Sequence, residues 1–208
     1  MKGTVLICGG TGLVGSRLSE LLSENGYNVR HLSRKKDLNA KFPAYQWDTK
    51  SEYIDPQAMQ NVDYVINLAG AGIADKRWSG ARKKLIIRSR VETTLLLKKY
   101  IQSGELQLKA FLSASAIGYY GNTGEVLVDE NATPGEGFLT ESVLAWENSI
   151  EEVAKTGVRT VTVRVGIVLS TEGGALPELM QTFPLRVGAY FGNGKACLLY
   201  TSPSPRDS

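Results

Sequence analysis

Apolar residues along this chain come in short runs separated by amphipathic stretches. Val5-Leu6-Ile7-Cys8 is an apolar run closed by Gly9 and Gly10, the pattern of a strand buried on both faces of a parallel sheet. Leu13, Leu18, Leu21 and Leu22 recur at helical spacing and Asn25-Gly26 stops them, which predicts a helix from Leu13 to Asn25. Strands are expected over Tyr27 to Leu32, Asp63 to Leu68, Lys109 to Ser113 and Thr160 to Val165. Between them the spacing predicts a short helix near Pro56 to Gln60, a long one from about Ser79 to Gln102, one over Phe138 to Lys155 and a short one over Leu176 to Thr182. Ser79 is the N-cap candidate of the long helix, and Leu85, Ile86, Val91 and Leu95 are its expected buried face. Strands alternating with helices predict an α/β fold with a doubly wound, mostly parallel sheet.

Composition narrows the class. The chain has 208 residues, 42% hydrophobic and 22% charged, with a formal net charge of +3. That balance is too mild to argue for nucleic acid, and no apolar run reaches the ~20 residues that span a bilayer. The N-terminus leads straight into a strand without a basic region and a separate apolar core, so no secretory signal is read there. Cys8 and Cys197 are the two cysteines. They make neither a disulfide framework nor a metal spacing, no metal is expected, and a cytoplasmic, reducing compartment is the default. Cys8 reads as a small core residue. From about Cys197 the sequence turns polar and rich in Pro and Ser, resembling either translated adapter sequence or a natural flexible tail. Residues 1–195 are therefore expected to form the domain, with a partial substrate region from about 165. Residues 196–208 are expected to be a disordered, non-native tail, the fold incomplete at the C-terminus and the chain prone to self-association.

The most informative local signal is Gly9-Gly10-Thr11-Gly12-Leu13-Val14-Gly15, lying between the first strand and the first helix. Glycines there allow a sharp turn, a close backbone approach to a pyrophosphate and tight packing of helix on sheet, while the helix N-terminus offers amides to the phosphates. Gly9, Thr11, Gly12, Leu13, Val14 and Gly15 are thus candidate cofactor contacts. A site for NAD(H) would place an acid at the end of the second strand, to hold the ribose 2′-OH. The chain instead reads Ser33-Arg34-Lys35-Lys36. Arg34 can pair with a 2′-phosphate and Ser33 can hydrogen-bond to it, so NADP(H) is expected ahead of NAD(H). His31, the single histidine, is expected to be packed rather than catalytic.

With these residues in place the chain resembles the extended short-chain dehydrogenase/reductases, and within them the atypical epimerase-family oxidoreductases related to NAD(P)-dependent epimerase/dehydratases. The likeness is carried by Gly9 to Gly15, Asn67 to Trp78, Arg88 to Thr94, Ser113 to Gly121, Phe138-Leu139 with Trp146-Glu147, Arg164 to Leu169 and Gly173 to Leu176. It implies a Rossmann fold. It also implies that Asn67, Leu68, Ala69 and Gly70 lie along the adenosine ribose and pyrophosphate, with Gly70 and Gly72 admitting the cofactor. Trp47-Asp48 resembles the loop near the adenine, although Asp48 reads equally as a surface turn residue.

The same resemblance exposes a departure. Such enzymes commonly carry a Tyr-x-x-x-Lys pair on a helix, residues four apart sharing a face. Here the corresponding helix has neither residue at that spacing; Ser142 and Trp146 have the separation without the chemistry. Ser113, Ser115 and Tyr120 become the catalytic candidates, with Tyr119 beside them. Arg90, where many extended relatives carry Asn, and Arg77 are candidate substrate contacts. The expected function is an NADP(H)-binding oxidoreductase or epimerase acting on a small molecule, in the full-length form. The alternative is a dinucleotide-binding sensor without catalysis. Neither substrate nor oligomeric state is legible.

Overall fold

The computed structural model describes residues 2–180; the expectations about residues 195–208 lie outside them. The chain divides into two compact units, Met1–Arg164 and Val165–Ser208. The first is built from β1 (Thr4–Cys8), α1 (Leu13–Glu24), β2 (Asn28–Ser33), β3 (Ala44–Asp48), β4 (Tyr53–Ile54), α2 (Pro56–Met59), β5 (Tyr64–Asn67), α3 (Gly80–Gln102), β6 (Ala110–Ala116), a 3-10 turn (Ile117–Tyr120), α4 (Phe138–Ala154) and β7 (Thr160–Val165). In the second, β8 (Leu169–Ser170) and β9 (Gly173–Gly174) pair antiparallel ahead of the short helix α5 (Leu176–Leu179).

The sheet runs β4-β3-β2-β1-β5-β6-β7. β1 pairs parallel with both β2 and β5, and β5 pairs parallel with β6. The edge pair β3–β4 is antiparallel. The strand order therefore reverses around β1, making the switch point where α/β proteins open a crevice at the carboxyl ends of their strands. The register fixes what meets there: Cys8 lies opposite both Leu32 and Asn67, and Asn67 opposite Ser113.

Strand alternation divides the core between two faces. Val5, Ile7, Val29 and Ile66 gather under α1 with Leu18, Leu22, Tyr27 and Phe42. Asn67 points the other way and donates from Nδ2 to Thr94 Oγ1 on α3 at 3.1 Å, so α3 covers the opposite face. The sheet is thus doubly wound, a Rossmann-like α/β fold. Burial pushes the Cys8 thiol pKa well up, as befits a small core residue.

Two helices bury a stripe that only partly overlaps the one expected, with Leu18 and Leu22 of α1 packed on the core and Ile86 of α3 buried as read. In α1 the buried positions are Gly15 and Ser19, with Leu21 exposed. In α3 they are Ile86, Arg90, Thr93, Thr94, Leu96, Leu97 and Ile101, while Leu85 and Leu95 are exposed. Positions 86, 90, 93, 97 and 101 keep helical phase; the polar Arg90, Thr93 and Thr94 disguised that face. Ser79 does cap α3, accepting from Arg82 N at 3.2 Å. Among the described residues no helix is long and apolar enough to cross a membrane.

Phe111 is fully buried near the start of β6. Phe111→Ala should destabilise the chain by about 3–5 kcal/mol, the range for emptying a buried aromatic site. Denaturant unfolding is the measurement, and a loss below about 1 kcal/mol would contradict this packing.

Candidate functional site

The site begins where β1 runs into α1. Gly9 takes φ +80, and a Cβ there would stand 3.0 Å from the Leu68 carbonyl oxygen. A Cβ on Gly15 would stand 2.3 Å from Gly9 O and 2.8 Å from Gly10 Cα. Those two glycines are required by backbone against backbone. Gly12 differs: its amide closes the turn onto Gly9 O at 3.1 Å, and a Cβ would meet only that oxygen, at 3.3 Å. Gly12 is also the N-cap of α1, which has no side-chain cap and no acid in its first turn. The first i to i−4 bond runs from Ser16 N to Gly12 O at 2.8 Å. The amides of Leu13, Val14 and Gly15 precede it and have no such partner. With exposed Thr11 beside them, they form a donor-rich cradle fit for phosphates.

His31 supports this cradle from behind. A Cβ on Gly10 would strike its ring at 2.3 Å. Ser19 Oγ lies 2.6 Å from Gly15 O and 2.8 Å from His31 Nε2. A hydroxyl has one proton, and the carbonyl must receive it, so Nε2 carries the hydrogen that His31 donates to Ser19. Burial lowers the His31 pKa and keeps the ring neutral. The histidine is packed, not aimed at the crevice.

At the end of β2, Ser33 Oγ accepts from Lys35 N at 3.3 Å. Lys36 is held by Asp55 at 2.8 Å. Arg34 is exposed and forms no ion pair among the described residues. On β3, Trp47 is buried, whereas Asp48 is exposed and closes a turn by accepting from Lys50 N and Ser51 Oγ, each at 3.0 Å. The Lys50 amide, then Ser51, hold its carboxyl below the usual range.

Beyond β5 the backbone is pinned on several sides. Leu68 N donates to Cys8 O at 2.9 Å, and Ala69 N to Asn67 Oδ1 at 3.2 Å. Ala71 N donates to Ser89 Oγ at 3.0 Å. Arg90 is buried beside Gly70, and its Nη1 donates to Ala71 O and Ile86 O, both at 3.0 Å. Arg77 is exposed at the far end of the same loop.

Ser113 and Ser115 are buried on β6. Ser113 Oγ donates to Ala114 O at 3.0 Å, and Ser115 Oγ donates to Glu147 Oε1 at 2.5 Å. Glu147, on α4, takes a fork from Arg164 on β7: Nε to Oε1 at 2.8 Å and Nη2 to Oε2 at 2.9 Å. Arg164 Nη1 donates to Tyr120 Oη at 3.0 Å and to Glu130 O at 3.3 Å, and the guanidinium lies 3.5 Å from the Tyr119 ring centre. Burial works to raise the Glu147 pKa, but hydrogen bonds from Arg164 and Ser115 outweigh it and the net shift is downward. The bond to Glu147 raises that of Arg164. Reasoning from sequence assigned no role to Glu147 or Arg164, although both lie in segments that carry the resemblance. The available signal was opposite charge on a helix and on the next strand. Of the α4 residues spaced four apart, Leu139 and Val143 face Gly118, where a Cβ would lie 3.4 Å and 3.6 Å from them; no Tyr or Lys stands there.

A model of the NAD dependent epimerase/dehydratase family matches residues 5–202, running past Lys195. An epimerase family protein from Mycobacterium bovis is 36% identical over 198 residues, 95% of this chain and 64% of its own length. Another from Bacillus subtilis is 34% identical, over 93% of this chain and 64% of its own length. This chain therefore spans less than two thirds of those relatives. A crystal structure of a human epimerase family protein with NADPH superposes with a TM-score of 0.76 at 31% identity, over 92% of this chain and 63% of that one. A nucleoside-diphosphate sugar epimerase from Corynebacterium glutamicum gives 0.77 at 31% identity, over 94% and 40%.

Glu147→Gln removes the charge that Arg164 grips, and should cost roughly 1.5–3 kcal/mol, the worth of hydrogen bonds to a charged group. The native pKa of Glu147 is lowered, so its contribution is complete above the unfolded value of about 4.3 and is lost as pH falls through the native one. Unfolding of both proteins across pH should show a constant difference from neutral to about pH 5, shrinking in acid. A difference that grows in acid contradicts the assignment.

Proposed function

The chain belongs to the NAD dependent epimerase/dehydratase family, and on that premise we propose that it binds NADP(H), with NAD(H) second, to carry out oxidoreduction or epimerisation of a small molecule. One observation carries the proposal: the uncapped start of α1 behind a loop in which Gly9 and Gly15 are closed by backbone while Gly12 is left open. That cradle suits a pyrophosphate. Gly9, Thr11, Gly12, Leu13, Val14 and Gly15 would hold it, with Asn67, Leu68, Ala69 and Gly70 along the adjoining strand end. Ser33 and Arg34 would take the 2′-phosphate; the free Arg34, and the absence of an acid beside it, favour NADP(H). The relative crystallised with NADPH supports the same choice.

When bound, the nicotinamide supplies a carbon that accepts or returns a hydride. The chain's own part is then to hold the substrate and exchange a proton with its oxygen. Hydrogen accounting selects the donor. Ser115 directs its proton to Glu147 and Ser113 to Ala114 O, so in this arrangement each can only accept from substrate. Tyr120 Oη accepts from Arg164 Nη1, and its own proton has no acceptor among the described residues. We assign Tyr120 as the proton donor and acceptor. Arg164 positions it, and Ser115 fixes the Glu147 carboxylate that orients Arg164. Arg90 and Arg77 are the proposed substrate contacts. The second reading, a sensor without turnover, is favoured by the apolar pair Leu139 and Val143 on α4, and substrate-dependent oxidation of NADPH separates the two.

Cofactor titration tests the cradle. Gly12→Val should leave a folded chain, because only one atom lies near the added Cβ, yet abolish dinucleotide binding by filling the pyrophosphate space. Arg34→Ala should weaken NADP(H) by about 1.5–3 kcal/mol and leave NAD(H) unchanged. Calorimetry with circular dichroism decides; tight binding by folded Gly12→Val, or equal affinity for both cofactors insensitive to Arg34, contradicts the proposal.

Catalysis has its own test. With a substrate found by screening NADPH oxidation, Tyr120→Phe should lower kcat by about 10²–10⁴, the usual worth of a positioned acid, while KM moves little. Unchanged turnover would remove Tyr120 from the mechanism.

A further inference from the structure

Two guanidinium groups of α3 reach the loop after β5 with unequal compensation. Arg82 Nη2 donates to Gly72 O and meets Asp75 at 3.2 Å, a carboxylate whose side chain is 63% exposed. Its Nε is buried and has no partner. Arg90 is buried, 9% exposed, and its hydrogen bonds use Nη1 alone, on Ala71 O and Ile86 O. It forms no ion pair with a carboxylate among the described residues. Its Nε and Nη2 donate to nothing among the described residues. Arg90 Cζ lies 5.2 Å from the centre of the Trp146 ring, whose Nε1 is also buried without a partner. Burial, and after it the nearby charge of Arg82, lowers the Arg90 pKa.

A buried cation ordinarily faces a carboxylate, because its desolvation is otherwise uncompensated. Carbonyl oxygens satisfy donors but do not neutralise charge. The free edge of Arg90 is a planar pair of N–H groups with the spacing of an oxyanion. It lies beside Gly70, where a Cβ would come within 3.0 Å of Arg90 Cζ. That position is at the carboxyl end of β5, beside the strand-switch crevice. It adjoins the strand end proposed for the dinucleotide, whose pyrophosphate cradle is built by the start of α1.

We propose that the free edge of Arg90, backed by Arg82, receives an oxyanion of the substrate, a carboxylate or phosphate, an inference that rests on the dinucleotide site proposed above. The substrate class is then a small anionic molecule. Its charge completes Arg90, and neighbouring carbonyls of one loop, Ala71 O for Arg90 and Gly72 O for Arg82, hold the two arginines ready for it.

The test uses the full chain loaded with saturating NADPH and two probes, inorganic phosphate and malonate, titrated by calorimetry. Single-site binding of at least one probe is expected. Its affinity should fall tenfold or more in Arg90→Gln, fall less in Arg82→Gln, and recover in part in Arg90→Lys. NADPH affinity and circular dichroism should stay near wild type in the folded variants. The preferred probe distinguishes a carboxylate from a phosphate. Absence of probe binding to the NADPH-loaded protein, or binding indifferent to Arg90→Gln and Arg82→Gln, overturns the anion site while leaving the cofactor proposal intact. Probe binding that appears only without NADPH, with NADPH weakened tenfold in Arg90→Gln, assigns the edge to the cofactor and overturns the substrate assignment. Loss of NADPH binding by wild type itself is failure of the cofactor reading, seen before any probe is added. Should Arg90→Gln not fold, Arg82→Gln and Arg90→Lys carry the same comparison.

Discussion

The close approach of Gly9 to the Leu68 carbonyl organises this half of the molecule. β1 and β5 are parallel neighbours in register to their ends, Cys8 opposite Asn67, so the chains leaving them must pass each other with no room for a side chain. Gly9 meets that demand with a positive φ, and a Cβ placed there would stand only 3.0 Å from Leu68 O. Once the chain turns there, the amide of Gly12 returns to Gly9 O and α1 starts directly above the sheet. A bulkier residue at Gly9 would push α1 away and dismantle the cradle. Strand order, glycine placement and the direction of the first helix are thus one constraint seen at three levels.

Hydroxyl groups show how far hydrogen accounting reaches. Ser19, Ser113 and Ser115 each have one proton, and each proton goes to an oxygen that can only accept. For Ser19 this fixes the tautomer of His31. For Ser115 it makes the hydroxyl part of the scaffold around Glu147 rather than a proton source. Tyr120 differs because its neighbour is a guanidinium, which has no lone pair to offer. The proposed division of labour at the end of β6 follows from partner chemistry more than from distance.

Much of this was legible in the sequence. The apolar run before Gly9 and the spacing through Gly15 located β1, α1 and the crevice, since few local structures demand three glycines between strand and helix. The place of Ser33-Arg34 at the end of β2 was legible for the same reason, being read at a fixed distance along a known unit. The buried face of α3 was not, because Arg90, Thr93 and Thr94 read as polar surface until a partner is known. β3 and β4 were missed; β4 is held partly by Tyr100 on α3, which accepts from Ile54 N at 3.2 Å, a contact that no local pattern announces. Glu147 and Arg164 meet only because α4 returns against the sheet, so neither has a partner within its own segment.

Arg164 and Arg90 show why burial of an arginine does not by itself indicate a role. Both lie near the crevice and both touch an aromatic ring. Arg164 is compensated by a forked bond to Glu147, and its remaining nitrogen is taken by Tyr120 and Glu130 O. Its charge is spent inside the protein, and the group serves geometry. Arg90 has carbonyl partners on one nitrogen and, among the described residues, none on the others. Desolvation without neutralisation leaves a group whose energy falls when an anion arrives. A folded chain tolerates such a residue only where packing on other sides is secure, as it is between Ile86, the Ala71 carbonyl and Trp146. The same packing holds the guanidinium still, so that an arriving oxyanion would meet a fixed fork rather than a mobile side chain.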